Sequence, residues 1–207
     1  MPNKTGRGRP KTFDRDGVVA AAMALWWERG PGRLSINELC STLGMAKPSL
    51  YREFGGEDGL MAAVLARYRT TRIDPLLAQL TRERPLADAV HGLTTWLTTP
   101  SDLPAGCLLA KARMSLEPLG PEATAHVGAM RDDQIAALGH WMERAAERGE
   151  LADGVDPKLA GRYLDTQLTA LLTLAANAEP SELVAAQTQL AFAGVMKKPE
   201  RSYPCGQ

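Results

Sequence analysis

An all-α fold is predicted for this chain of 207 residues, and three observations predict it. Apolar residues recur three and four positions apart through most of the sequence, as they do along one face of a helix. Breaks rich in Gly and Pro divide these stretches into about nine helical segments. No stretch alternates apolar and polar side chains in the way that a half-buried strand does.

The charges are divided unevenly along the chain. There are 24 basic and 24 acidic side chains in all. Residues 1–72 hold twelve basic and seven acidic ones, a net charge of +5, and the remainder has a net charge of −5. Because nucleic acid binds basic surfaces through counterion release, the first third is the part expected to meet it.

Cysteine usage and hydropathy exclude several classes of protein. The three cysteines are far apart and form no CxxC or Cys/His cluster at metal spacing, so we expect a reducing compartment and neither a metal site nor a cofactor. No apolar run approaches the roughly 18 residues of a membrane span, and the polar start resembles no secretory signal. These features predict a cytoplasmic protein that does not contact membranes.

Residues 35–54 have the pattern of a helix-turn-helix. Ser35 followed by Glu38 forms a capping box. Gly44 then ends the first helix, and a second helix begins near Lys47, with Pro48 tolerated in its first turn. The apolar positions that would face inward are Ile36, Leu39, Cys40 and Leu43 on the first helix and Leu50 and Phe54 on the second.

The remaining segments extend this unit on both sides. Residues 1–13 are predicted to be a disordered basic arm. Residues 14–56 are predicted to be a three-helix DNA-binding domain whose first helix runs over 14–29. Residues 57–81 are predicted to be a connecting helix with a kink at Pro75. Five further helices are expected within a second domain over 57–198, and residues 199–207 are expected to form a flexible tail. Their ranges are 85–98, 105–117, 121–148, 156–177 and 180–196.

The helix over 156–177 has apolar residues on more than one face. One face can be buried inside the bundle, and the other then needs a partner subunit or another helix. The helix over 180–196 is the natural second contributor. The pattern alone leaves both possibilities open.

The basic arm contains two arginines separated by one glycine. The run from Gly6 to Lys11, with Arg7 and Arg9 inside it, resembles the core of an AT-hook, which lies in a narrow A/T-rich minor groove. The alternative, given about even weight, is a solubilising tail without a defined DNA contact.

Taken over its whole length, the chain resembles the TetR family of transcriptional regulators. The resemblance is strongest over 13–30 and in the pattern Leu34, Ser35, Ile36, then Leu43, Gly44, Met45, then Pro48 to Tyr51 with Phe54 and Leu60. It implies that residues 57–198 form an effector-binding and dimerisation domain. It also implies a homodimer, formed through the last two helices, that binds double-stranded operator DNA, is bacterial and nucleoid-associated when bound, and is released by a small-molecule effector. Repression is the default by analogy, and activation stays open.

Carried onto this chain, the resemblance implies which residues face DNA. They are Lys47, Ser49, Tyr51 and Arg52, with Ser35 near a phosphate and Arg7 and Arg9 in the arm. Tyr51 is expected on the phosphate backbone. Arg52 is the expected base reader, because a guanidinium can bond guanine O6 and N7 together; a phosphate contact is its alternative.

Three features depart from the family pattern. Ala46 stands where a capping serine or threonine is common, at a cost of about 1 kcal/mol. Glu57 stands where a phosphate-contacting lysine is usual, so the arm is expected to offset the missing contact. The glycines at 55, 56 and 59 are expected to loosen the joint between the third and fourth helices.

The effector cannot be named from the sequence. A largely apolar pocket would suit a small apolar or aromatic molecule. Its candidate lining residues are Trp96, Cys107, Met114, Met130, Trp141, Tyr163 and Gln167, with His91, His126 and His140 as possible polar partners, although ordinary packing or exposure is the favoured interpretation of each.

Two alternative functions remain at this stage. Cys107 begins a helix with Lys111 one turn later, a setting that lowers a thiol pKa and would suit a redox or electrophile sensor. An architectural DNA-binding protein without an effector is the other. No nucleophile elbow, phosphate loop or HExxH pair is present, so the chain is not expected to be an enzyme and no catalytic residue is assigned.

Overall fold

The computed structural model describes residues 14–80, 82–100, 104, 106–115 and 119–198. Within these ranges the chain is helical, with no strand and one isolated antiparallel bridge between Leu151 and Met196. The prediction of an all-α fold is confirmed. The arm with Arg7 and Arg9, and the tail over 199–207, lie outside the described residues. No helix in the described ranges has the length and apolar character needed to cross a membrane.

The first three helices are α1 (Arg15–Arg29), α2 (Ile36–Thr42) and α3 (Lys47–Phe54). The Asp14 carboxylate caps α1 by accepting a hydrogen bond from the amide of Gly17 at 2.9 Å. The capping box predicted at the start of α2 is present, and α3 begins after Ala46 without any side-chain cap. Local signals in the sequence therefore set the limits of these three helices.

A single long rod connects this unit to the rest of the chain. It consists of α4 (Glu57–Tyr68), a π-helical turn (Arg69–Ile73) and α5 (Asp74–Leu80). Pro75 has no amide proton and its ring clashes with the carbonyl four residues earlier, so regular α-helical bonding cannot pass through this point. The kink expected at Pro75 takes the form of the π turn that immediately precedes it.

The C-terminal bundle, our name for the next five helices, contains α6 (Leu86–Thr98), α7 (Leu108–Arg113), α8 (Pro121–Glu147), α9 (Pro157–Ala176) and α10 (Ser181–Ala193). With the rod counted as one helix, the described ranges contain nine helices, as predicted. The helix predicted over 105–117 is shorter, because Gly106 has φ of +78° and Cys107 is extended, so helical geometry starts only at Leu108.

Two apolar cores hold the molecule together. The first combines α1 to α4 with α7 and the first half of α8, and includes Trp26, Leu60 and Met130. The second combines α6, the second half of α8, α9 and α10, and includes Trp141 and Phe192. The first core therefore crosses the domain boundary that the sequence suggests at residue 56, so α1 to α3 share their apolar interior with the rod and the bundle.

The glycines between α3 and α4 were expected to loosen the joint, and the geometry at Gly59 contradicts this. A Cβ atom at Gly59 would overlap the carbonyl oxygen of Phe54, the last residue of α3. Gly55 ends α3 in the left-handed conformation, with φ of +76°. The absence of side chains here allows a close approach of two backbones, and the joint is tight.

We therefore expect Gly59→Ala to destabilise the protein by about 2 kcal/mol or more, because the new methyl group must force α3 and α4 apart. Gly128→Ala is the matched control, since Gly128 lies on α8 with open space around its Cβ position. The control should stabilise the chain by about 0.5–1 kcal/mol through helix propensity. Denaturant unfolding measures both. Equal stabilities of the two variants would contradict the close approach.

Candidate nucleic-acid interface

The outer side of α3 presents four of the residues predicted to face DNA. Lys47 and Arg52 are exposed, Ser49 is half-buried, and the ring of Tyr51 is 51% exposed. Leu50 and Phe54 are buried beneath them, as predicted. Burial of the inner side thus fixes which side chains of α3 point outward. The surface combines two cations with two hydroxyl groups, all able to donate hydrogen bonds to phosphates or base edges.

Arg52 has a partner that the sequence analysis missed. Its Nε atom donates to Oε1 of Glu53 at 2.9 Å, and the Arg52 side chain is 67% exposed. An exposed ion pair of this kind stabilises by about 0–1 kcal/mol, so a phosphate or a guanine can replace the carboxylate. A phosphate or base edge brought to Arg52 would have to displace Glu53.

Ser35 also has an intramolecular partner. Its hydroxyl donates to Oε2 of Glu38 at 2.7 Å and accepts a hydrogen bond from the Glu38 amide at 3.3 Å. The hydrogen bond from Ser35 lowers the pKa of Glu38, which keeps this carboxyl ionised at neutral pH. A phosphate contact by the Ser35 hydroxyl requires that it leave Glu38.

Trp27 joins α1 to the rod and to the bundle. Its ring Nε1 donates to the carbonyl of Gly106 at 2.7 Å, and its own carbonyl accepts a hydrogen bond from Nζ of Lys111 at 2.6 Å. The ring meets Tyr68 edge-on at 5.1 Å, and the guanidinium of Arg72 lies 5.5 Å from its centre. Trp27 is buried by these contacts, so it belongs to a joint and offers no platform on which bases could stack.

Cys107 lies at the same joint. The Tyr68 hydroxyl donates to Sγ of Cys107 at 3.6 Å and accepts from the amide of Leu108 at 3.3 Å. Burial raises the pKa of Tyr68, so the phenol remains a hydrogen-bond donor. The helix dipole and the Lys111 charge expected to act on Cys107 are only partly present. The dipole is small because α7 has six residues, and the Lys111 ammonium donates its hydrogen bond to the Trp27 carbonyl.

Asp58 connects the start of α4 to the start of α8. Its carboxylate accepts hydrogen bonds from the amides of Glu122 and Ala123, each at 2.9 Å. Gly120, the residue that caps α8, has no side chain to satisfy these amides. A carboxylate from a distant helix thus caps α8. Gly120 in the sequence indicates only that the residue before α8 cannot cap it, and does not indicate which residue does.

The seven candidate pocket residues do not converge on one cavity. Trp96 lines a cavity of about 620 Å³ that also includes Trp27, and Cys107 lines a separate one of about 30 Å³. Met130 and Trp141 are buried in the first and second cores, respectively. Met114 is 66% exposed, Tyr163 is 36% exposed, and Gln167 is half-buried on α9.

The three histidines are dispersed as well. His140 lies on the surface within 3.0 Å of the Glu143 carboxylate, His91 lines a surface cavity beside Phe192, and His126 is exposed on α8. Sequence reasoning also missed Asp165, a carboxylate that is only 4% exposed and borders the same small cavity as Cys107.

Comparison with known proteins places this arrangement in a family. Residues 18–64, which run from the first turn of α1 through α2 and α3 into α4, match the bacterial regulatory proteins of the tetR family. The chain is also 31% identical over 167 residues to the HTH-type transcriptional repressor ComR of Escherichia coli K12, and the match covers 78% of this chain and 79% of ComR.

Solved structures agree with this assignment. A cysteine-substituted variant of the TetR family transcriptional regulator CifR, complexed with 26-bp double-strand operator DNA, has a TM-score of 0.74 and 27% identity, over 91% of this chain and 100% of that one. The reduced form of Escherichia coli NemR shares the fold, with a TM-score of 0.71 and 20% identity, over 90% of this chain and 98% of that one. The chain belongs to the TetR family and is a transcriptional regulator.

Proposed function

We propose that the protein is a repressor that binds a palindromic operator as a homodimer and is released by a small molecule. The exposed outer side of α3, with Lys47, Tyr51 and Arg52, is the observation that carries the proposal. The similar protein CifR is complexed with double-strand operator DNA, which supports the same role for this chain. The role is regulatory rather than enzymatic, and it is exercised in the cytoplasm.

The proposed dimer forms through α9 and α10. Four large apolar side chains on these helices are exposed on the isolated chain, and a partner subunit would bury them. They are Leu159 (65%), Tyr163 (36%), Leu183 (40%) and Leu190 (68%). A two-fold axis at this surface would carry two α3 helices, which must lie about 34 Å apart, one duplex turn, to read two half-sites.

In the proposed complex, α3 lies in the major groove, with Tyr51 on the phosphate backbone and Arg52 at a base edge. Ser49 and Lys47 donate to nearby phosphates. The basic arm, with Arg7 and Arg9, supplies phosphate or minor-groove contacts where Glu57 replaces the usual lysine. An effector need only bind more tightly to the arrangement of the dimer that does not fit the operator.

Operator binding should depend on Arg52 and on its competitor Glu53. We expect Arg52→Ala to weaken binding about 10-fold or more, because a bidentate base contact is worth about 1–3 kcal/mol. Glu53→Gln should strengthen binding several-fold, since it frees Arg52 and removes a negative charge beside the phosphates. The measurement is fluorescence anisotropy at fixed salt, on a palindrome footprinted in the DNA flanking the protein's own gene.

Glu147→Gln is the matched control for the second substitution, because Glu147 is exposed at the far end of α8. It removes the same charge from the acidic part of the chain and should leave operator affinity unchanged. Unaltered binding by Arg52→Ala, or an equal gain from both glutamate substitutions, would contradict the proposed face. If footprinting finds no protected palindrome in the DNA that flanks the protein's own gene, the proposal that the protein represses transcription there is contradicted.

A second candidate function is detection of electrophiles or oxidants through Cys107. The observation that favours it is the contact of Sγ with Tyr68, which in turn packs on Trp27 of α1. With N-ethylmaleimide, the thiolate sulfur would add to the double bond of the ring, and the adjacent carbon would take a proton. The bulky adduct would separate Tyr68 from Cys107 and disturb the joint that holds α1.

Thiol kinetics in a Cys205→Ser background test this candidate, with Cys40 buried in the first core. A sensor should react with N-ethylmaleimide at least about 10-fold faster than N-acetylcysteine and release its operator in proportion. Cys107→Ser should bind the operator normally and ignore the reagent. A reaction no faster than that of N-acetylcysteine would end the thiol hypothesis and leave the non-covalent effector.

A further inference from the structure

Arg15, the first residue of α1, lies against Phe54, the last residue of α3. The central carbon of its guanidinium is 4.8 Å from the centre of the Phe54 ring. The ring is 8% exposed and belongs to the first core, so its position is fixed by packing. A cation over an aromatic face is attracted by the negative charge of the π system. The contact therefore holds the charge of Arg15 at the end of α3.

Arg15 keeps hydrogen-bond donors for another partner. A guanidinium carries five N–H groups in a planar fork, more than one aromatic ring can accept. Arg15 is exposed, and within the ranges that the structure describes no ion pair includes it. Arg52 differs, because its Nε atom is bound to Glu53. Arg15 can therefore bind an anion without first leaving a carboxylate of these residues.

Two carboxylates are next to Arg15 in the sequence, and neither forms an ion pair with it. Asp14 caps α1 by accepting the hydrogen bond from the amide of Gly17. Successive residues of a helix point about 100° apart, so Asp16 projects from a different side of α1. The next basic residue of α1 is Arg29, its last residue. Arg15 is thus the one cation that α1 contributes near the end of α3.

The contact with Phe54 also places Arg15 near Tyr51. Residues three apart on a helix are neighbours, with about 5–6 Å between their Cβ atoms, so Tyr51 and Phe54 lie side by side. The Tyr51 ring borders the turn that follows α3, since a Cβ atom added at Gly56 would lie 3.3 Å from it. The guanidinium of Arg15 and the exposed phenol of Tyr51 are therefore at the same end of α3.

We infer that Arg15 is a further DNA-contact residue, which binds a backbone phosphate next to the one proposed for Tyr51. The inference deepens the proposed function, because it rests on α3 lying in the major groove. A guanidinium binds a phosphate through two parallel hydrogen bonds. The Phe54 ring holds the guanidinium in place beforehand, so less side-chain freedom is lost on binding. Because phosphates carry no base information, Arg15 raises affinity for any duplex, whereas Arg52 discriminates among sequences.

The salt dependence of DNA binding by the full-length protein tests the inference. Fluorescence anisotropy is measured between about 50 and 200 mM salt, on the footprinted operator and on a non-palindromic duplex of equal length and base composition. Each phosphate contact contributes about −0.9 to the slope of log Kobs against log salt. A homodimer has two copies of Arg15, so Arg15→Gln should make the slope shallower by about 1.8 and weaken binding to both duplexes about 10-fold at the lowest salt.

Arg82→Gln is the matched control, because Arg82 is exposed just beyond the far end of the rod, about 36 Å from the start of α4. It removes the same charge and should change neither the slope nor the affinity. Arg15→Lys should keep most of the slope, since an ammonium also releases counterions, and bind less tightly than wild type because it lacks the planar fork. The ratio of operator affinity to non-specific affinity should fall in Arg52→Ala and stay unchanged in Arg15→Gln.

The inference is overturned if Arg15→Gln has the slope of wild type, even where its affinity is lower, because a residue that only supports the packing of α3 releases no counterions. An equal change of slope in Arg82→Gln, or a loss of specificity like that of Arg52→Ala, would overturn it as well. The measurement on the non-palindromic duplex requires no operator. A failure of the proposed palindromic repressor is therefore distinguishable from a failure of the phosphate contact by Arg15.

Discussion

The position of α3 depends on a carboxylate that lies on a different helix. Asp58 in the first turn of α4 accepts hydrogen bonds from the first amides of α8, and Gly120, which directly precedes α8, has no side chain with which to replace it. The 27 residues of α8 run from this cap into the second core. On the other side, the end of α3 approaches the backbone of α4 closely at Gly59. The cap and this close approach therefore connect α8 to α3 through α4.

A second attachment holds the other end of α4. Tyr68 contacts Cys107 and packs edge-on against Trp27. The ring nitrogen of Trp27 donates a hydrogen bond to the carbonyl of Gly106. Both ends of α4 are therefore attached to the bundle. Cys107 and the small cavity that it lines lie at this second attachment.

The sequence predicted the helix caps, helix ends and inward-facing positions that depend on neighbouring residues. The capping box at Ser35, the stop at Gly44, and the inward positions of Leu50 and Phe54 all depend on neighbours within a few residues, and all are present. The cap of α8 by Asp58 and the pairing of Asp165 with Gln134 join residues 64 and 31 positions apart, so no local pattern reveals them. Residue type alone indicates the candidate pocket residues. Trp96, Cys107, Met130 and Trp141 lie in two cavities and two cores, whereas Met114 and Tyr163 are exposed and Gln167 is half-buried, because residue type does not determine which side chains meet in the fold.

The central claim, that the cap of α8 fixes α3 for DNA, is tested most directly by comparing Asp58→Ala with Asp156→Ala. Asp156 caps α9 through the amide of Leu159 at 2.7 Å, so each substitution removes one carboxylate cap and should cost about 1–2 kcal/mol of stability. Operator affinity is measured for both at a temperature where each is fully folded. We predict that Asp58→Ala binds the operator about 10-fold more weakly than wild type and that Asp156→Ala binds like wild type. Equal operator affinities of the two variants would contradict the claim.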